Sequence, residues 1–114
     1  MDIKTCYFIG DADVPENILE TIQKRLEDEV VSLIRQGVRK FCVYGGGGFG
    51  ALAARVVSEI GKYYPRVRLS VSRGEPRGKK GICVCCPVNY DGAAAREAAR
   101  AAELGMQVVN LAAG

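Results

Sequence analysis

Val43-Tyr44-Gly45-Gly46-Gly47-Gly48-Phe49-Gly50-Ala51-Leu52 is the stretch on which the fold of this chain turns. The apolar run Lys40 to Tyr44 enters a glycine-rich turn that opens directly into a helical pattern from Phe49 to about Tyr63, where Ala51, Ala53 and Ala54 permit close packing and Pro65 stops the helix. Removing Cβ atoms at such a turn lets backbone N–H groups approach an anion, and the helix N-terminus adds partial positive charge. Four consecutive glycines exceed what a tight turn needs. Gly45, Gly46, Gly47, Gly48, Phe49 and Gly50 are therefore candidate ligand-binding positions, with a ligand-free turn as the alternative. No Lys-Ser or Lys-Thr follows, so this is not a P-loop.

The rest of the chain repeats the plan. Residues 4–10 form a short apolar run ending at Gly10, which reads as a strand buried on both faces. Asp13 and Glu16 are spaced as a capping box, with Pro15 inside the first turn. From Glu16 to Gln36, Leu19, Ile22, Leu26, Val30 and Leu33 recur at helical spacing opposite Glu20, Lys24, Asp28 and Arg35, and Gly37 closes the helix. Residues 67–71 form a third strand whose alternation points to one less covered face. Ile82 to Val88 is a fourth strand, Gly92 to Leu104 an Ala-rich helix capped by Gly105, and Gln107 to Leu111 a fifth strand.

Alternating strands and helices call for an α/β, three-layer Rossmann-like sandwich: a mostly parallel five-stranded sheet with about three helices. Residues 73–81, between strands three and four, are too few for a crossover helix, which takes about a dozen residues or more. The length of 114 residues, 48% of them hydrophobic, suits one domain over 1–114.

Charge is uneven. The chain carries +3, yet residues 62–80 hold seven bases and one acid, so the remaining nine bases and twelve acids leave −3 elsewhere. Only Tyr63 and Tyr64 could stack on bases within that segment, so we expect no nucleic-acid partner. Arg73 and Arg77 follow the third strand at the sheet edge that carries the glycine turn, within reach of a bound phosphate. A solvated loop is the alternative. No apolar run approaches a bilayer span and residues 1–30 carry no signal segment, so the expected setting is cytoplasmic, away from membranes.

The absence of His removes Ser-His and Cys-His nucleophile pairs and His-ligated zinc. The five cysteines are odd in number, which argues for free thiols in a reducing compartment. Cys83 and Cys85 face one side of their strand and Cys86 the other, so core packing outweighs metal binding. Cys6 and Cys42 read as core thiols at equivalent strand positions, and Cys86, near its strand's end, is the one kept open as reactive. No cofactor or metal is expected.

Ligands in open parallel sheets sit beyond the carboxyl ends of the strands. Loops Gly10 to Asn17, Gly45 to Gly50 and Pro87 to Ala93 would converge there. Gly10, Asp11, Asp91 and Gly92 join the glycine turn as candidate ligand-binding residues, the aspartates as acceptors for sugar hydroxyls. A helix cap at Asp13 and a turn at Asp91 are the ordinary alternatives.

Val43 to Gly47 with Gly50-Ala51-Leu52 resembles the Val-Tyr-Gly-Gly-Gly turn of LOG (lysine-decarboxylase-like) proteins, in the SLOG superfamily. The close, Tyr90-Asp91-Gly92-Ala93 through Val108-Val109-Asn110-Leu111, is similar to that of bacterial SLOG proteins. The resemblance implies a Rossmann-like domain binding nucleotides or their derivatives, either as a sensor or sequestering protein or as a nucleoside 5'-monophosphate phosphoribohydrolase. The second motif of the enzymes, Pro-Gly-Gly-x-Gly-Thr-x-x-Glu, falls on Asn89 to Glu97, where only Glu97 matches. The resemblance thus implies Glu97, with Arg73 or Arg77, as the catalytic candidates, and binding rather than turnover as the main expectation. A small structural homodimer without ligand is the third reading. A dimer suits all three, because so short a chain covers a five-stranded sheet poorly.

Overall fold

The computed structural model describes residues 5–10, 14–44, 48–72, 82–86, 93–103 and 107–111. In chain order the elements are β1 (Thr5–Gly10), α1 (Glu16–Arg35), β2 (Lys40–Tyr44), α2 (Gly48–Gly61), β3 (Arg68–Ser72), β4 (Ile82–Cys86), α3 (Ala93–Glu103) and β5 (Gln107–Asn110). The strands form one all-parallel sheet in the order β3-β2-β1-β4-β5. This is the three-layer α/β Rossmann-like arrangement that the alternation of elements predicts.

Handedness distributes the helices. The path β1 to β2 to β3 steps one way across the sheet, and β4 to β5 steps the other way. Right-handed crossovers therefore put α1 and α2 on one face and α3 on the other. The packing agrees. Ile22, Leu26, Val30 and Leu33 of α1 share a cluster with Phe49, Leu52 and Val56 of α2 and with Cys6, Phe8, Phe41, Val43, Ile82, Val84 and Cys86 of the sheet. Phe8 and Phe41 stack on that face with centroids 5.9 Å apart. Tyr7, Ile9, Cys42, Cys83 and Cys85 face the other way, toward Ala98 and Ala101 of α3.

The two faces are covered unequally. α3 packs on β1, β4 and β5. Among the described residues no helix lies over the β2–β3 half of that face, where Lys40 and Arg68 are exposed and Ser70 is half-buried. The connection of residues 73–81 lies outside the described residues.

Local chemistry explains the ends of α1, with two corrections. Pro15 stands at the N-cap with no side-chain cap bond, and Glu16 is the first helical residue. The expected Asp13–Glu16 capping box, which needs the cap three residues before Glu16, does not fit that start. Leu19 is 37% exposed, while Ile34 joins the buried stripe at 5%. At the other end Gly37 N–H donates to the Ile34 carbonyl at 3.1 Å and Val38 N–H to that of Leu33 at 3.0 Å. With Gly37 at φ +104° and Val38 buried against Leu33, this is a Schellman stop.

α2 ends at Gly61, two residues short of the expected boundary. Tyr63 and Tyr64 N–H groups continue as i−3 turns onto Ile60 and Gly61. Of the three alanines, Ala53 is buried, Ala54 half-buried and Ala51 exposed.

Candidate functional site

The site expected from sequence sits at the carboxyl ends of the strands, and the register shows which ends are neighbours. Gly10 of β1 pairs with Cys86 of β4, and Tyr44 of β2 pairs with Ser72 of β3. β2, β1 and β4 are contiguous. The loops that leave them therefore start side by side, at strand spacings of about 4.8 Å. β1 leads to α1 on one face and β4 to α3 on the other, so the chain diverges between these two strands. Such a divergence is where open α/β sheets leave a crevice.

Of the expected ligand-binding residues, Gly10, Gly48, Phe49 and Gly50 are described; Asp11, Gly45, Gly46, Gly47, Asp91 and Gly92 lie outside the described residues, as do Arg73 and Arg77. Gly48 is exposed and is the first residue of α2. Phe49 is fully buried in the α1–α2 side of the core. Its ring serves packing, and only its backbone remains for the edge. Gly10 lies directly beneath that ring: a Cβ there would collide with Phe49 side-chain atoms. This glycine holds the α2 start against the end of β1, a role that sequence reading did not assign it.

The first turn of α2 carries no acidic residue, and neither does that of α3. A helix leaves its first N–H groups without intrahelical partners, and an uncompensated N-terminus favours a nearby anion. In α1 the first turn carries Glu16.

Glu97 is half-buried on α3. Its carboxylate is one of the groups that raise the Cys83 thiol, after burial and Cys85. Cys83 stands three residues before the end of β4, and Glu97 is the fifth residue of α3.

None of the five cysteines is in a disulfide, and all are buried. Cys86 is fully buried on the α1–α2 side, which removes the accessibility expected of a reactive thiol. Cys6 pairs with Phe41, whereas Cys42 pairs with Tyr7, so Cys6 and Cys42 point to opposite faces and are not equivalent. Cys42 accepts a hydrogen bond from Ser70 Oγ at 3.2 Å. Burial pushes Cys83 up to about 12 and Cys85 up to about 11, and raises Cys6 well above the usual thiol value. Among the described residues no group of His, Cys, Asp or Glu could hold a metal ion. No described helix is long and apolar enough to cross a membrane.

Comparison with protein-family models and with curated proteins gave no match, so neither adds to the residues quoted above.

Proposed function

We propose that this chain binds a phosphate-bearing nucleotide or nucleotide-derived ligand at the carboxyl edge of β2, β1 and β4, as a sensor or sequestering protein of SLOG type. One observation carries the reading. The strand order starts the three candidate loops on adjacent strands, and the glycine-rich loop ends in an α2 start free of acidic residues. In this reading Gly45 to Gly50 hold the phosphate through backbone N–H groups. Gly10 and Asp11 border the sugar, and Asp91 with Gly92 close the third side.

The hydrolase alternative depends on Glu97. It stands without the glycines and Thr of the enzymes' second motif, which supports binding without turnover. A dimer in the cytoplasm of a bacterium remains part of the proposal; what supports the dimer is the half-covered second face.

The test is a thermal-shift titration with nucleoside mono-, di- and triphosphates at millimolar concentration, repeated with Gly47→Asp. A ligand present at about 100 times its Kd stabilises the folded state by about 2.7 kcal/mol. We expect a shift with at least one nucleotide that the Asp variant loses. No shift with any of them sinks the proposal. Release of free base from a nucleoside monophosphate, abolished by Glu97→Ala, would favour the enzyme instead.

A further inference from the structure

The opposite, amino-terminal edge of the sheet carries a feature that the proposed site does not use. The turn after α1 and the turn after α2 enclose a cleft of about 370 Å³ lined by Ile34, Arg35, Arg39, Tyr63, Tyr64, Pro65, Arg66 and Val67. That volume is in the range of small-ligand pockets. Among the described residues that line it, three are arginines and none is Asp or Glu. Glu59, near the end of α2, is engaged with Lys62 at 3.2 Å.

The walls are fixed by backbone bonds. Gly37 and Val38 close α1, and Tyr63, Tyr64 and Val67 N–H groups close the second turn. Arg68 N–H donates to the Arg39 carbonyl at 2.8 Å and ties the two turns together. Arg39 is held in place as well: its Nη1 donates to the Ile34 and Val38 carbonyls at 3.1 and 3.2 Å. A guanidinium carries five N–H donors, so most of those on Arg39 remain to be used.

Helix electrostatics explain part of this charge. Arg35, in the last turn of α1, and Arg39, on its last carbonyls, both suit a helix C-terminus. They do not explain Arg66, which comes from another turn. Nor do they explain Tyr63, which is 83% exposed at the rim while Tyr64 packs against the core. The exposed Tyr63 ring offers a face on which a flat ligand can stack. Guanidiniums from two turns beside a free aromatic face match an anion attached to a planar ring.

We infer that this cleft is a second ligand site, for a small phosphorylated or carboxylated molecule carrying an aromatic ring. β1, β2 and β3 are five or six residues long, so it lies about 16 Å or more from the carboxyl-edge site. The ring stacks on Tyr63, and the anion is held by Arg35, Arg39 and Arg66.

The probes are 1-naphthyl phosphate and inorganic phosphate, each titrated into the full chain while amide NMR shifts are followed. Shifts of residues 34–39 and 63–67 are expected, with the naphthyl ester binding about tenfold tighter than phosphate, the size of one stacking contact. Tyr63→Ala should bring the two probes together, since the exposed ring can be removed without unfolding the chain. Arg35→Ala with Arg66→Ala should weaken both roughly tenfold or more. Shifts confined to the carboxyl edge, or a Tyr63→Ala variant with undiminished preference for the ester, would overturn the assignment. So would a single-stranded oligonucleotide that binds roughly a hundredfold tighter than the ester with a steep salt dependence, which would make the cleft part of a nucleic-acid track.

Discussion

The ring of Phe49 occupies the space that a side chain on Gly10 would need. Position 10 ends β1 and position 49 is the second residue of α2, so this one contact locks a helix start onto a strand end. Gly10→Ala should destabilise the fold by about 1–3 kcal/mol, the usual cost of overpacking. Urea denaturation would measure it. Combining it with Phe49→Leu should recover part of the loss, because the shorter side chain vacates the space. Additive losses in the double variant would show that the two positions do not compete for volume.

Gly37 presents the opposite situation. It has φ +104°, and a Cβ added there would meet nothing within 4 Å, so its requirement is conformational and not steric. Gly37→Ala should cost about 1 kcal/mol by denaturant titration, from backbone strain alone. A loss several times larger would point to a clash that the open surroundings exclude.

The buried thiols make two linked predictions. Native protein should react slowly with a thiol reagent at pH 8, and denatured protein should titrate all five cysteines. Cys42, 5% exposed where the other four are at 0–1%, should be modified first. Peptide mapping after brief alkylation would identify it, and Cys86 reacting first would contradict the observed packing.

Stability should also fall in alkali. The Cys83 and Cys85 thiols are raised from 9.0 to about 12 and about 11 in the folded chain. Above pH 9 the unfolded chain therefore loses protons that the folded chain keeps, and ionisation favours unfolding. The contribution is fully present below pH 9 and disappears as pH climbs toward 11 and 12. Melting temperatures between pH 8 and 10.5 should be level at first and then decline. A Cys83→Ala, Cys85→Ala variant should show a shallower decline.

Gly48 allows stability and binding to be separated. Placing a carboxylate at the start of α2 should stabilise the helix by about 0.3–1 kcal/mol through its dipole. The same charge should repel a phosphate from that site. Gly48→Asp is thus expected to melt at or slightly above the wild-type temperature while losing its nucleotide-induced shift. Retention of the full shift would place the ligand away from this helix start.

Much of the fold can be read from local pattern. The apolar runs at 4–10, 40–44 and 82–88 and the period of Ile22, Leu26, Val30 and Leu33 are properties of neighbouring residues. Strand order is different, because nothing around Cys6 indicates that it will lie between Phe41 and Ile82. The same limit hid the role of Gly10, which needs Phe49, and the amino-edge cleft, which joins Arg35 and Arg39 to Tyr63 and Arg66. Pro15 shows a milder failure: a cap pattern at Asp13 was legible, but the helix begins two residues later than that pattern requires. The glycine turn stood out because its composition is unusual in itself.

β1, the earliest strand in the chain, stands at the centre of the sheet. One of its edges is completed by residues 40–43 and the other only by residues 82–86. During synthesis the first strand must therefore wait, half paired, until residues 82–86 have been made. Contacts this distant along the chain slow folding, because a long loop must close before they form. A nascent chain stopped before residue 82 would expose a bare edge of Cys6, Tyr7, Phe8 and Ile9. That makes the interval before β4 emerges the period in which this small protein is most exposed to aggregation.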